Sequence, residues 1–217
     1  MKYVIMCGGS YSYFKIPKQL TVINGERLVD RTIRLLREAG AEDIAISATD
    51  PRFDTCGVPR LIHGNGYQQI DGVERGFWLD AFYPHFDKDQ KVTYIFGDVY
   101  FTPEAIKTIV NYQTDKNVLF GTSDAKNEEH QNWGEPFAYI VNRYKAFLNG
   151  IDAVKRMQVN GELKRPAIVW ELYRYLNNLD VNVQAVLDET YVTIDDGTID
   201  IDRATDIEKI RRRFECS

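Results

Sequence analysis

Five apolar residues run without interruption from Tyr3 to Cys7, the pattern of a central parallel strand covered on both faces. Between Arg27 and Ala39 the positions Val29, Ile33 and Leu36 fall at helical spacing, and Gly40 stands where such a helix closes. Asp43 to Ala48 (DIAISA) predicts a second strand, and Arg60 to His63 a short third. Ile70, Val73 and Phe77 mark one face of a further helix, and Val92 to Phe96 a strand running directly into Gly97-Asp98. Thr102-Pro103-Glu104 opens the next helix with a capping hydroxyl, a proline at the first helical position and an acid in the first turn.

Up to about residue 125 strands and helices alternate as β-α-β-(β)-α-β-α-β. That order implies an α/β fold of three layers, α/β/α and Rossmann-like, with a mixed, mainly parallel central sheet and right-handed crossovers. Further on, Pro136 to Val141 and Val183 to Leu187 read as strands, and Tyr144 to Gln158 and Ala167 to Leu176 as helices. Thr190 to Asp202 alternates like a hairpin around Asp195-Asp196-Gly197, and Arg203 to Phe214 is a charged closing helix. The chain shows no repeat, low-complexity segment or linker, so residues 1–217 are read as one domain.

Composition narrows the partners. With 44% hydrophobic and 27% charged residues the chain is of ordinary globular make-up. A formal charge of -5 argues against a nucleic-acid or anionic-membrane partner. A protein this acidic that handles polyphosphate must concentrate positive charge locally or recruit a metal. The three cysteines, Cys7, Cys56 and Cys216, show no CxxC spacing, which argues against a disulfide scaffold or structural zinc and fits a reducing cytosol. The N-terminal apolar run is too short for a signal-peptide core, and no later stretch approaches a membrane span. A soluble, cytoplasmic protein is expected, with its oligomeric state open.

Ligands of open α/β sheets bind beyond the carboxyl ends of the strands, and two unusual segments fall there. Gly8-Gly9-Ser10-Tyr11 follows the first strand, and Gly97-Asp98-Val99-Tyr100 the fourth. Glycines at a strand end let backbone N–H groups close on an anion, and Lys18, behind Pro17, can add a point charge to the same phosphates. A tight turn followed by a solvated lysine is the other reading, and the fragment leaves both open. There is no Walker loop, GxGxxG, GxSxG or HExxH, and His63, His85 and His130 read as surface or core histidines. Asp98, at the end of a buried strand, needs a positive neighbour. Magnesium, which takes one or two carboxylates and completes its shell with phosphate and water, is a natural candidate. The other reading of Asp98 is a cap for the helix starting near Pro103, but Thr102 is nearer and suited to that job.

An apolar strand, a Gly-Gly loop ending in Pro17-Lys18, then a helix, and later a strand ending in Gly97-Asp98, resembles the nucleotidyltransferases of the glycosyltransferase-A-like, nucleotide-diphospho-sugar transferase fold. These include sugar-1-phosphate nucleotidyltransferases, phosphocholine cytidylyltransferases and molybdenum-cofactor guanylyltransferases. IPKQLTVINGERLVDRTIRLLREAG (Ile16 to Gly40) resembles the family's proline-lysine segment, and Asp200-Ile201-Asp202-Arg203-Ala204-Thr205-Asp206-Ile207 its D-I-D-T-P-E-D-L stretch.

The resemblance implies residues 1–125 as a nucleotide-binding half and 126–217 as an acceptor-facing half. Cys7, Gly8, Gly9, Ser10, Tyr11 and Lys18 would hold the triphosphate and base, with Lys18 neutralising the α-phosphate under attack. Asn65, Gly66, Tyr67 and Gly72 fall where relatives contact the nucleobase, and Gly97 lies beside the phosphates. Asp98 and Asp202 would hold Mg2+, with Asp200 in reserve. Tyr100, Trp133, Gly134, Glu135, Trp170 and Glu171 match acceptor-facing regions. The arginine of the family's G-x-G-T/S-R loop is absent: Ser10-Tyr11-Ser12-Tyr13 stands there, with Lys15 nearby. The implied reaction is magnesium-dependent transfer of NMP from an NTP, CTP or UTP by preference, to a phosphorylated sugar or small polar head group. A glycosyltransferase using a nucleotide-sugar and a non-catalytic nucleotide-binding module are the alternatives.

Overall fold

The computed structural model describes residues 1–8, 14, 16–64, 66–70, 73–85, 91–126 and 134–214. In chain order the first strands are β1 (Lys2–Met6), β2 (Val22–Ile23) and β3 (Glu26–Arg27), followed by helix α1 (Leu28–Glu38). Next come β4 (Asp43–Ser47), β5 (Arg60–Leu61), β6 (Tyr67–Ile70), β7 (Val73–Gly76), β8 (Val92–Phe96) and β9 (Val99–Tyr100). Helix α2 (Pro103–Asn111), β10 (Val118–Gly121), β11 (Pro136–Val141), α3 (Tyr144–Val159) and α4 (Val169–Leu176) lead to β12 (Tyr191–Thr193), β13 (Ile199–Asp200) and α5 (Ala204–Phe214).

The central sheet has seven strands in the order β12-β10-β11-β8-β1-β4-β5. Neighbours are parallel except β11, which runs antiparallel to both β8 and β10. Val4 and Ile5 are completely buried at the centre of β1, and every residue of β8 is buried. Burial of each such apolar side chain contributes about 1.5–3 kcal/mol. Helices α1 and α2 pack together on one side of the sheet and α3 and α4 on the other, completing the three layers. The buried face of α1 carries Leu28, Val29, Ile33, Leu35 and Leu36, and the helix ends where Ala41 N donates to Leu36 O at 2.9 Å. Between sheet and α3 lies an aromatic stack: Phe82 meets Tyr94 edge-on at 4.5 Å and Phe147 at 5.4 Å. A second, smaller core of Ile23, Leu28, Tyr100, Ile201, Ile207 and Ile210 fastens α5 to the β9–β13 ribbon.

Three expected elements differ. Ile70, Val73 and Phe77 do not share a helix, because β6 and β7 form an antiparallel pair, Tyr67 opposite Gly76 and Ile70 opposite Val73. Asp71-Gly72, the dipeptide between them in sequence, is itself a hairpin signal that outweighs the loose helical spacing. A 3-10 stretch from Trp78 to His85 follows. Val183 to Leu187 is not a strand: Val183 N donates to Asp180 O, and Leu187 N to the Tyr173 hydroxyl, so these amides are satisfied locally and by α4. Thr190 to Asp202 is not a hairpin either. β12 joins β10 in the main sheet while β13 pairs with β9, because Asp196 turns the chain by accepting from Thr198 N at 2.9 Å and from the Thr102 hydroxyl.

Candidate active site

Strands β1 and β8 lie side by side and parallel at the point where the chain order reverses, β4 and β5 to one side and β11 to the other. Loops leaving their carboxyl ends therefore diverge around a crevice. Gly97 makes the approach possible. A Cβ there would lie 2.6 Å from Met6 O and 2.8 Å from Cys7 Sγ, so only glycine lets β8 end against β1 and deliver Asp98 beside the first loop. Thr102 caps α2 by accepting from Ala105 N, which leaves Asp98 free of that duty.

Lys18 opens a single 3-10 turn, Lys18–Leu20, fixed by Leu20 N donating to Pro17 O at 2.8 Å. Its ammonium donates to Asp98 Oδ2 at 2.8 Å, to Ile201 O at 2.8 Å and to Asp202 Oδ1 at 3.4 Å. The β9–β13 ribbon supplies the geometry: Asp200 pairs with Val99, and Ile201 N donates to Asp98 O at 3.0 Å. Residues from both ends of the chain thus meet at one cation.

The site is rich in acid. Burial, then Asp98, Asp202 and Glu135, raise Asp200 well above the usual carboxylate range, with Lys18 opposing. Burial, then Asp202 and Asp98, push Glu135 up to about 7. Burial disfavours the Lys18 ammonium, but the charge and hydrogen bond of Asp98, with Asp200 and Asp202 behind, more than offset it and raise its pKa. Among the described residues no group of three or more His, Cys, Asp or Glu stands ready to enclose a metal ion. Asp98 and Asp202 nonetheless already converge on one cation, the Lys18 ammonium, and a two-carboxylate seat suits magnesium when phosphates and water supply the rest.

Beside this cluster lies a cavity of 340 Å³. Trp78, Phe96 and Trp170 form apolar wall, Asp98, Glu135, Asp200 and Asp202 an acidic one, and Arg165 adds a guanidinium. Gly134 also borders it. Such a mixture suits a small ligand with one apolar face and several polar contacts.

The structure brings Lys18, Asp98, Gly97 and Asp202 together, with Gly8 at the exit of β1. Gly66 lies in the segment leading to β6, its N donating to Asp80 Oδ2 at 2.7 Å, and Tyr67 is the first residue of β6. Gly9, Ser10, Tyr11, Asn65, Gly72 and Trp133 lie outside the described residues. Three expected contacts are placed elsewhere. The Cys7 thiol is fully buried against Gly97. Tyr100 packs in the second core with the Arg31 guanidinium 4.1 Å above its ring. Glu171 lies beneath the cavity wall, accepting from Arg165 Nε at 2.7 Å and from Ile168 N at 3.0 Å. Trp78, Phe96 and Arg165 were not expected in the cavity. Only their tertiary placement reveals them.

Residues 3–165 match the model of the MobA-like NTP transferase domain. The chain belongs to that family. Among solved structures, a Bacillus anthracis protein assigned as a glucose-1-phosphate thymidylyltransferase, crystallised with a sucrose, is similar over 98% of this chain and 94% of its own, with a TM-score of 0.62 and 14% identity. The CTP:phosphocholine cytidylyltransferase of Streptococcus pneumoniae is similar over 98% of each chain, with a TM-score of 0.55 and 15% identity. Rv0371c of Mycobacterium tuberculosis is similar over 97% of each, with a TM-score of 0.59 and 13% identity. At these identities the likeness is one of fold. No curated protein sequence matches the chain. No helix among the described residues is long and apolar enough to cross a membrane. In this NTP transferase the segment carrying Asp200 and Asp202 lies past the matched residues and reaches the site through β13.

Proposed function

We propose that this NTP transferase moves a nucleoside monophosphate from a triphosphate, CTP or UTP by preference, onto a phosphorylated sugar or small polar head group. The carrying observation is Lys18 held between Asp98 and Asp202 at the carboxyl ends of the central strands. An acceptor phosphate oxygen attacks the α-phosphorus, the new P–O bond forms in line, and the bond to the departing pyrophosphate breaks. Both partners are anions, so the protein's work is to place them and to stabilise charge on the equatorial oxygens. The Lys18 ammonium, kept protonated by its carboxylate neighbours, turns to the α-phosphate. A phosphate acceptor is ionised near neutral pH, so no residue need take a proton from it. Asp98 and Asp202 would hold magnesium, which when bound supplies positive charge toward the phosphates. Such a cation would offset the Asp98 and Asp202 carboxylates that a triphosphate meets on entry. The free, buried thiols of Cys7 and Cys56 suit a reducing compartment, and we place the enzyme in the cytoplasm.

The test is a thermal-shift panel of CTP, UTP, GTP, ATP and dTTP, with and without magnesium, on wild type and Asp98→Asn. One triphosphate raises the melting temperature by mass action only with magnesium, and the variant loses that shift. Undiminished magnesium-dependent binding in Asp98→Asn would overturn the assignment.

A further inference from the structure

We propose that Arg165 binds the phosphate of the acceptor and that Glu171 is the positioning residue that holds it there; this rests on the nucleotidyl-transfer reading above. The cavity beside Lys18 is lined by four acidic side chains, Asp98, Glu135, Asp200 and Asp202, and among the described residues Arg165 is its one cationic lining group. A phosphorylated acceptor entering there meets the Asp98 and Asp202 carboxylates on one wall and needs a positive anchor on another. Arg165 is that anchor. Its Nε is committed to Glu171, which holds the planar guanidinium so that the exposed part of the group points its N–H in a fixed direction, as a flexible lysine ammonium would not.

The support behind it is built. Glu171, 3% exposed, accepts from Arg165 Nε at 2.7 Å with one oxygen and from Ile168 N at 3.0 Å with the other. The second bond closes the first turn of α4, so the carboxylate is fixed to a helix and fixes the arginine in turn. Beyond it lies Arg174, fully buried, 3.7 Å from the same Glu171 oxygen, with its guanidinium 5.7 Å from the Trp170 ring. Two arginines on one carboxylate leave this cluster with a net positive charge facing the acidic wall. Capping α4 needs Glu171 but no arginine at position 165. The Arg165 side chain is 33% exposed, and it lies on the same cavity as Asp98 and Trp170. An acceptor gripped at its phosphate by Arg165 would lie along Trp170, with an attacking oxygen turned toward the Lys18–Asp98 side. Fixing that orientation is what speeds a reaction of two bound partners.

The test uses the full chain with saturating CTP or whichever triphosphate the thermal-shift panel selects. Glucose 1-phosphate, phosphocholine and inorganic phosphate are titrated in turn, and tryptophan fluorescence reports binding because Trp78 and Trp170 line the cavity. Arg165→Gln should weaken phosphate-bearing probes by about 10–100-fold, the loss expected for a hydrogen bond to a charged group. Triphosphate affinity should stay within about two-fold. Arg165→Lys should fall between, and Glu171→Gln should weaken the probes while keeping the Arg165 charge. Equal probe affinity in Arg165→Gln and wild type overturns the proposal. So does a wild type that binds triphosphate but none of the three probes, and so does a parallel loss of probe and triphosphate affinity with a lower melting temperature, which marks Arg165 as structural. A wild type that binds no triphosphate overturns the nucleotidyl-transfer reading first, and the inference with it.

Discussion

Lys18 Nζ stands 2.8 Å from Asp98 Oδ2 and 3.4 Å from Asp202 Oδ1, one ammonium from the start of the chain shared by a carboxylate from its middle and another from near its end. The turn that carries it is short and anchored at Pro17, so the charge is placed before any ligand arrives. Removing it leaves the crevice with unopposed carboxylates. Lys18→Ala should therefore slow turnover by about 100-fold or more, a barrier increase on the order of 3 kcal/mol. Pyrophosphate release under saturating triphosphate measures it, with circular dichroism confirming the fold. Activity retained within a few-fold would make Lys18 a structural counter-ion only.

Gly97 tests how tightly Asp98 is delivered. A Cβ at this position meets Met6 O at 2.6 Å and Ile5 Cγ2 at 3.2 Å, and a buried strand cannot retreat as a side chain can. Gly97→Ala should cost about 1–3 kcal/mol of stability by overpacking. The urea midpoint should fall with an unchanged slope. An unshifted midpoint would mean that β8 has slack at its end.

How much of this was legible beforehand follows from where each residue gets its role. Gly97, Asp98 and Lys18 stand at strand ends and loop ends, which apolar runs and glycines mark in the sequence. Arg165 and Trp78 are different. Arg165 lies in an irregular segment, and its meaning depends on Glu171 and on a wall formed by distant strands. Trp78 follows a stretch whose apolar spacing imitates a helix while its strands pair as a hairpin. Tyr100 and Glu171 were legible as neighbours of the site, but not the side to which each side chain turns. Period-two and period-3.6 patterns tell burial from exposure; they do not tell a cavity wall from a core.

His63 gives a pH dependence with a definite sign. Its ring is buried, and Ser47 Oγ lies 2.7 Å from Nδ1, while a Cβ on Gly8 would lie 3.4 Å from Nε2. Burial lowers its pKa below the ordinary 6.5. The unfolded chain therefore binds this proton more readily than the folded one. The stability His63 contributes is complete above about pH 6.5 and declines as pH falls through the lower folded value, by at most about 1.4 kcal/mol per pH unit. Melting temperatures from pH 8 to pH 5 should fall more steeply for wild type than for His63→Gln. Parallel curves would show that the ring gains water or a carboxylate partner in solution.

Gln19 follows Lys18 in the same turn, is 1% exposed, and among the described residues neither its Oε1 nor its Nε2 finds a hydrogen-bond partner. A buried amide left unsatisfied costs about 1–3 kcal/mol, a large penalty for a domain of ordinary stability. Methionine fills nearly the same volume without the polar atoms, so Gln19→Met should raise stability by about 1 kcal/mol or more, read from the urea midpoint. Turnover measured on the same variant then separates two causes. If activity drops while stability rises, the amide is kept for the reaction at the expense of the fold, and its partners arrive with the triphosphate. If activity is unchanged, Gln19 is a packing residue that selection has not improved. A fall in stability would overturn both, because it would mean that the amide is already satisfied in the folded protein.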